Sequence, residues 1–481
     1  MEIYITNNVQ IVNPIPEFMR WIRSNLTIRN PDYDKKQRMG LSVWNTPEYV
    51  SFYEEKHAYG TTVMIIPYGI WRKLRHYVPE GTKVHNNLAD HGPIGFGDTS
   101  LPLYDYQEKA VSDMVDSGSG VLIGPCGSGK TQIGIGAAVA MNRKTLWLTH
   151  TIDLLNQSYD RAARYMPKEW LGKIARGKID IGSHITFATV QTMSKADLKA
   201  LQYEWDVIIV DECHRICGSA NQAQMFYKVI SSLSALHKFG LTATLHRSDG
   251  MEASVLAILG PVCARVNESE VKARTITPSV TIRTTGIPES VQYIKKDGSL
   301  SFTELVSYLA ESPVRNAVIA DDIIAEAEQG HSCLVISDRL LQLNAIMGAL
   351  PEELQEKSAM IDGKMVSKKA REEREQAIED MRTGKKTILF ATYGLAREGL
   401  DIPVLDRLFL ATPKKDWAVV KQSFGRISRV AEGKTSALGY DYLDENIGIC
   451  IGLYNKRLSV YRSEHFPVVH PGNTEQQATS A

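Results

Sequence analysis

Eight consecutive residues, Gly124-Pro125-Cys126-Gly127-Ser128-Gly129-Lys130-Thr131, restrict this chain more than any other feature. They fit the pattern of Gly, four residues, then Gly-Lys-Ser/Thr that wraps backbone N–H groups around phosphate oxygens. Such a loop works only between a strand and the N-terminus of a helix, whose partial positive charge faces the anion. Both flanks are present. Gly120-Val121-Leu122-Ile123 is a short apolar run of buried-strand type, and Gln132–Met141, rich in Ala, Gly and Ile, reads as a buried helix. Lys130 is placed for the β and γ phosphates of a nucleoside triphosphate and the Thr131 hydroxyl for Mg²⁺, while Cys126 contributes backbone only.

A triphosphate site of this type needs a second carboxylate site downstream. Val207-Ile208-Ile209-Val210-Asp211-Glu212-Cys213-His214 supplies it: a continuous β-branched run, as in a strand buried on both faces, ends in two acids. Asp211 is placed for Mg²⁺ and Glu212 to orient and deprotonate an attacking water. Three further runs end in small hydroxyl residues: Leu146–His150 with Thr149, Ile185–Thr189 followed by Gln191, and Phe239–Thr244 with Thr242 and Thr244. Strand-then-hydroxyl units separated by helical stretches predict a parallel sheet whose loops gather along one edge. Upstream, Leu103–Gln107 offers the Gln107 amide, donor and acceptor together, to an adenine edge, and Tyr104 to stack on the ring.

A second α/β unit follows the irregular stretch 261–288. Cys333–Arg339 and Thr387–Thr392 read as strands with polar ends, Glu398–Pro403 as a turn carrying two carboxylates, and Leu408–Pro413 as another buried strand. This unit has no phosphate loop. It has Gln422-Ser423-Phe424-Gly425-Arg426-Ile427-Ser428-Arg429, read as two arginines one helical turn apart on one face, whose planar guanidinium groups suit a γ-phosphate. Tyr440–Leu443 closes the sheet, Ile447–Arg462 reads as a helix, and 467–481 as a flexible tail. Ahead of the loop, 1–98 forms a separate unit. Its Trp71–Tyr77 stretch, containing Arg72, Lys73 and Arg75, reads equally as a phosphate-gripping surface and as the solvated face of an amphipathic helix. Asn87–Thr99, rich in Gly, Asp, Asn and Pro, reads as a linker.

Lys and Arg number 55, as do Asp and Glu, so a nucleic-acid partner cannot be argued from overall charge and would need a local basic groove. The six cysteines (126, 213, 217, 263, 333 and 450) fall within predicted elements or the loop, not in a secreted disulfide framework, and this predicts a reducing compartment. Cys213, His214 and Cys217 lack the second ligand pair that zinc would need. Met1–Tyr4 opens without a signal-peptide pattern and no apolar run approaches a membrane span, so the expectation is a cytosolic protein with no membrane partner.

Taken together and in order, these motifs resemble those of superfamily 2 helicases and translocases over residues 99–445. Residues 240–250, Gly-Leu-Thr-Ala-Thr-Leu-His-Arg-Ser-Asp-Gly, look like the XPB and phage UvsW type, and Leu26–Gly40 with Trp44–Tyr53 is similar to phage members with a small leading DNA-binding domain. The resemblance implies an α/β protein of two tandem RecA-like domains with parallel sheets behind a small α+β domain, divided as 1–98, 99–275, 276–446 and 447–481. ATP and Mg²⁺ would bind at Gly124–Thr131, Asp211 and Glu212, with Gln107 reading adenine and Arg426 and Arg429 donated as arginine fingers. Gly399 and Asp401 would touch the nucleotide and the domain interface. Thr242, Thr244 and Gln422 would couple hydrolysis to motion, while Thr149, Thr189, Arg339 and Thr392, with Arg72, Lys73 and Arg75, would hold DNA. The implied activity is ATP-driven, 3′ to 5′ movement of a monomer on branched or forked DNA in a bacterial or phage-infected cytoplasm. An RNA helicase, a duplex translocase and a nucleotide-dependent DNA clamp stay open as alternatives.

Overall fold

The computed structural model describes residues 1–470 except 59, 98, 126, 217–224, 246–250, 273–274, 290–292, 294–300, 363–367, 398–399, 401 and 415–416. Cys126, Cys217, Gly399, Asp401, the 246–250 part of the XPB-like stretch and residues 471–481 therefore lie outside the described residues. Contacts divide the chain into two units, Met1–Val271 and Lys272–Ala481.

The first unit holds an eight-stranded sheet. In spatial order its strands are Lys178–Ile179, Leu171–Ala175, Ile185–Thr189, Thr145–Thr149, Val207–Asp211, His237–Thr242, Gly120–Ile123 and Val262–Arg265. Every pairing is parallel except the outermost hairpin. Parallel pairing explains the composition, because each central strand is covered on both faces and every residue of Val207–Asp211 is buried. On one face pack Asp105–Ser117 and Lys130–Met141; on the other pack Met225–Ser232 and Glu252–Leu259. The C-terminal strand ends, with the phosphate loop, Thr149, Thr189, Asp211 and Thr242, consequently share one edge.

The leading residues form a five-stranded sheet of Glu54–Ala58, Thr61–Pro67, Asn8–Val12, Glu2–Ile5 and Lys83–Asn86, antiparallel except for the last pair. It is fixed to the larger sheet. The helix Tyr68–Leu74 lies on Glu252–Leu259 so closely that a Cβ on Gly69 would stand 2.4 Å from the Gly260 nitrogen and 2.7 Å from the Ala257 oxygen. Ala257 joins the leading core of Ile3, Val9, Ile11 and Ile70. Tyr68 donates to the Leu236 carbonyl at 3.1 Å, and Asn7 to that of Ser231 at 2.6 Å.

The stretch 87–99 differs from a free linker. Ala89 N–H donates to the Ser234 carbonyl at 2.7 Å, His91 holds Asp206 with both its backbone N–H and its ring, and Phe96 is buried against Trp170 and His184. Its turn-rich composition reflects a chain that bends often while it follows the surface of the eight-stranded unit.

The second unit has one seven-stranded sheet, wholly parallel, ordered Ser358–Ile361, Ile388–Thr392, Cys333–Ser337, Arg407–Leu410, Leu438–Leu443, Ser279–Thr284 and Val468–Val469. The sequence reading starts a flexible tail at Pro467, yet the helix Gly448–Ser463 returns the chain so that Val468–Val469 extends the sheet beside Val280–Thr281. Two valines carry too little pattern to signal a strand on their own. No helix among the described residues is long and apolar enough to cross a membrane.

Candidate nucleotide and nucleic-acid sites

Gly129, at φ +72°, turns the phosphate loop into the helix that begins at Lys130. A Cβ there would meet the Gln107 amide nitrogen at 2.4 Å, so this left-handed, crowded position admits only glycine. The loop is tied to the sheet by Gly124 N–H, which donates to the Thr242 carbonyl at 3.0 Å. Lys130 Nζ lies along the loop, donating to the Gly124 carbonyl at 3.1 Å and reaching that of Pro125 at 3.5 Å. Ser128 Oγ and Gln132 Nε2 are buried without partners among the described residues. Buried donors are ordinarily satisfied, and a ligand rich in acceptor oxygens fits these two.

Gln107 and Tyr104 form a capping box at the start of Asp105–Ser117. Gln107 Oε1 accepts from Tyr104 N–H at 3.0 Å, while its Nε2 donates to the Ser128 carbonyl at 3.0 Å. The amide expected to read a base thus also braces the phosphate loop, and Tyr104 stacks at 5.8 Å on Tyr106.

Asp211 ends its strand and Glu212 follows at φ +51°, a left-handed conformation rare outside glycine. Burial, reinforced by the neighbouring Glu212 charge, lifts the Asp211 carboxyl to about 7 against the pull of Lys130. A buried acid so short of positive charge, within electrostatic reach of Lys130 at the helix start, fits a divalent cation. Burial also acts to raise Glu212, but His214, Lys130 and His150 outweigh it and hold that carboxyl down at about 2.

His214 joins two parts of the site that sequence reasoning kept separate. Its Nδ1 lies 3.2 Å from Glu212 Oε2 and 3.1 Å from Thr242 Oγ1. Thr242 in turn donates to the Thr244 carbonyl at 2.7 Å and accepts from Thr244 N–H at 3.2 Å. A path of polar contacts, the ion-pair contact of Glu212 with His214 followed by hydrogen bonds through Thr242 to Thr244, therefore runs from the candidate base to the end of the next strand. Adjacency to Glu212 was the only available signal for His214.

Along the same edge the expected nucleic-acid hydroxyls are turned into their own loops. Thr149 is buried and donates to the Thr151 carbonyl at 3.1 Å; Thr189 donates to Thr192 Oγ1 at 3.0 Å. Thr151 caps Ile152–Ala162, leaving the first N–H groups of that helix at the strand end. The leading basic cluster is split. Arg72 faces inward, donating to Ser117 Oγ at 3.0 Å and to the Ser119 carbonyl at 2.7 Å, which removes it from a free phosphate-gripping surface, whereas Lys73 and Arg75 are exposed.

In the second unit, Trp417–Ile427 ends before Arg429, so the two arginines do not share a helix face. They converge nonetheless. Arg426 Nη1 donates to the Leu400 carbonyl at 2.8 Å and Arg429 Nη1 reaches it at 3.5 Å. Gln422 Oε1 is buried without a partner among the described residues. Arg339 stands just ahead of Leu340–Gly348, at a strand end knitted by Ser337, Gln342 and Thr412, and its guanidinium reaches the Thr303 carbonyl at 3.4 Å. Thr392 stands opposite Ser337 on the neighbouring strand.

A phosphate loop and paired acids on one parallel sheet, with a second parallel sheet carrying converging arginines, define a nucleoside-triphosphatase of tandem RecA-like architecture. Residues 100–247 match the family described as the res subunit of type III restriction enzymes, and 316–431 the helicase conserved C-terminal domain. A protein of Acanthamoeba polyphaga mimivirus, named as an ATP-dependent RNA helicase, is 27% identical over 67% of this chain and 59% of its own length. The DNA 3′-5′ helicase XPB of Kineococcus radiotolerans is 26% identical over 64% of this chain and 54% of its own. The D10 protein of Escherichia phage T5, named as a helicase, is 22% identical over 91% and 92%. Among solved structures, the type ISP restriction-modification enzyme LlaBIII bound to DNA superposes with TM-score 0.53 and 18% identity, covering 84% of this chain and 34% of that one. The chain thus spans little more than half the length of the mimivirus and XPB relatives. The two matched segments are helicase domains, and the chain is similar to XPB DNA helicases and to phage helicases.

Proposed function

We propose that the protein is an ATP-hydrolysing DNA motor that acts on branched or forked DNA as a cytoplasmic monomer. The observation that carries this reading is the path Glu212–His214–Thr242–Thr244, because it joins the group that would handle the attacking water to a strand end on the nucleic-acid edge. A site built only to bind nucleotide has no use for that link. Lys130 would hold the β and γ phosphates, with Thr131 and Asp211 holding Mg²⁺. The cation would supply charge neutralisation on the phosphate oxygens. Glu212, ionised throughout the working pH range, would orient a water and take its proton.

Arg426 and Arg429 would exchange the Leu400 carbonyl for phosphate oxygen, Gln422 on the helix of Arg426 would couple hydrolysis to motion, Gly399 and Asp401 would touch the nucleotide, and Gln107 and Tyr104 would hold the base. Strand-end loops at Thr149 and Thr189 in one unit, and at Arg339 and Thr392 in the other, would grip the DNA backbone without reading sequence. Lys73 and Arg75 would add contacts from the leading region. DNA is favoured by the XPB and LlaBIII similarities; the name of the mimivirus relative keeps RNA as the second reading.

The deciding measurement is ATPase rate without polymer and with single-stranded DNA, duplex DNA, a forked or four-way junction, and matched RNA, using Glu212→Gln as the blank. The strongest stimulation is expected from branched DNA. Strongest stimulation by RNA would move the assignment to the second reading, and indifference to every polymer would leave only the nucleotide site.

A further inference from the structure

The two-stranded ribbon formed by Thr27–Arg29 and Tyr49–Ser51 is a sheet of its own, packed on the leading core through Val50 and Ile28, and carries an excursion at its tip. The excursion consists of the helix Pro31–Arg38, none of whose residues is buried, and the loop 39–48. Trp44 in that loop is 93% exposed, while Met39, Leu41 and Tyr49 each expose more than half their surface. Tryptophan left in water is unusual, and a group of apolar side chains at one tip marks a contact surface.

The loop is pinned at both ends. Asn30 caps the helix by accepting from Asp32 N–H at 3.0 Å, and with its other end donates to the Pro47 carbonyl at 2.8 Å. Lys36 Nζ donates to Thr46 Oγ1 at 2.8 Å, Leu41 N–H to the Lys36 carbonyl at 2.9 Å, and Thr46 N–H to the Val43 carbonyl at 2.9 Å. Trp44 is therefore presented on a braced turn.

Charge indicates what it is presented to. Asp34 and Glu48 pair with Arg29, and Asp32 pairs with Lys36. Lys35 and Arg38, one helical turn apart and both exposed, enter no ion pair recorded among the described residues. An exposed ring beside uncompensated cations is complementary to a partner that offers flat aromatic faces and negative charge together, which is the chemistry of an unpaired nucleotide.

We infer that Trp44 is a base-stacking finger that holds an unpaired nucleotide, with Lys35 and Arg38 on the adjoining phosphates, so that this excursion recognises the point where paired and unpaired DNA meet. The inference rests on the reading of DNA as the polymer. Duplex DNA keeps its bases stacked on one another and gives Trp44 nothing to hold, and this sets the test.

Equilibrium binding of the full chain should be compared for a fork with unpaired thymidine arms and a blunt duplex of equal length, using wild type, Trp44→Ala and Trp44→Phe. Trp44→Ala should lose about 5- to 150-fold in fork affinity, the range that one base stack supplies. Its duplex affinity and melting temperature should be unchanged, and Trp44→Phe, which still stacks, should recover most of the loss. Fork affinity unchanged in Trp44→Ala, or equal losses on fork and duplex, would overturn the finger. A loss confined to the matched RNA fork would overturn its assignment to DNA. Wild-type ATPase indifferent to every polymer would instead count against the motor reading, and fork-against-duplex binding still judges the finger in that case.

Discussion

Glu212 is held where an ordinary residue resists being held. Its left-handed backbone, with a cost on the order of 1 kcal/mol, turns the carboxylate toward His214 and keeps it beside Lys130. Glu212→Gln keeps that shape and removes the ability to take a proton, so ATP turnover should fall by about 10²- to 10⁴-fold while DNA affinity changes little. Lys130→Ala should do the same through lost phosphate contact. Loss of DNA binding in both variants would count against these roles. Lys238 tests a different balance, since it is fully buried near the start of its strand, donating to the Leu233 and Ile230 carbonyls at 2.8 and 3.2 Å and lying 5.4 Å from the centre of the Tyr68 ring, with no carboxylate paired to it among the described residues. Burial lowers its ammonium to about 7 from the usual 10.5. Between those values the unfolded chain binds more protons than the folded one, so this residue makes stability rise with pH across that window and fall as pH drops toward 7. Denaturant unfolding at pH 7 and pH 9.5 should therefore show the stability of wild type gaining on that of Lys238→Met by a few kcal/mol; a constant difference would refute the uncompensated charge. At this scale the residues legible from sequence were those in contiguous motifs. Arg72 was not among them, because its Ser117 and Ser119 partners come from a distant part of the chain.

Among the elements, the contact of Tyr68–Leu74 with Glu252–Leu259 has little slack. A methyl group on Gly69 would press on backbone atoms at 2.4 and 2.7 Å, which cannot swing aside as a side chain can. Gly69→Ala should cost about 1–3 kcal/mol, read as a lowered melting temperature with earlier protease cleavage in 87–99. Unchanged melting and cleavage would show that the helices separate freely. Nothing in the local sequence announced this docking, since the close approach belongs to two segments that only the fold brings together. Similarly, the spacing of Arg426 and Arg429 suggested one helix face, whereas convergence on the Leu400 carbonyl depends on where the helix ends. The buried parallel strands were easier to read, because cover on both faces writes an unbroken apolar run, as in Val207–Val210.

For the whole molecule, equal numbers of acidic and basic residues mean that DNA affinity must come from patches. The double variant Lys73→Ala/Arg75→Ala should weaken DNA binding and make the slope of log affinity against log salt shallower by up to about 2, close to one per lost phosphate contact. An unchanged slope would remove these residues from the DNA surface. Two α/β units could be inferred from the order of strands and loops, but the spatial order of the strands could not, because residues that pair across a parallel sheet are separated by whole helices. The leading sheet was less legible still: its strands are short, and the antiparallel ones alternate buried with half-buried residues. The glycine-to-glycine approach that seats this sheet has one more consequence. If the Trp44 finger and the loops near Thr149 and Thr189 both hold DNA, the close seating of the leading sheet would act as a caliper that sets the number of nucleotides between them.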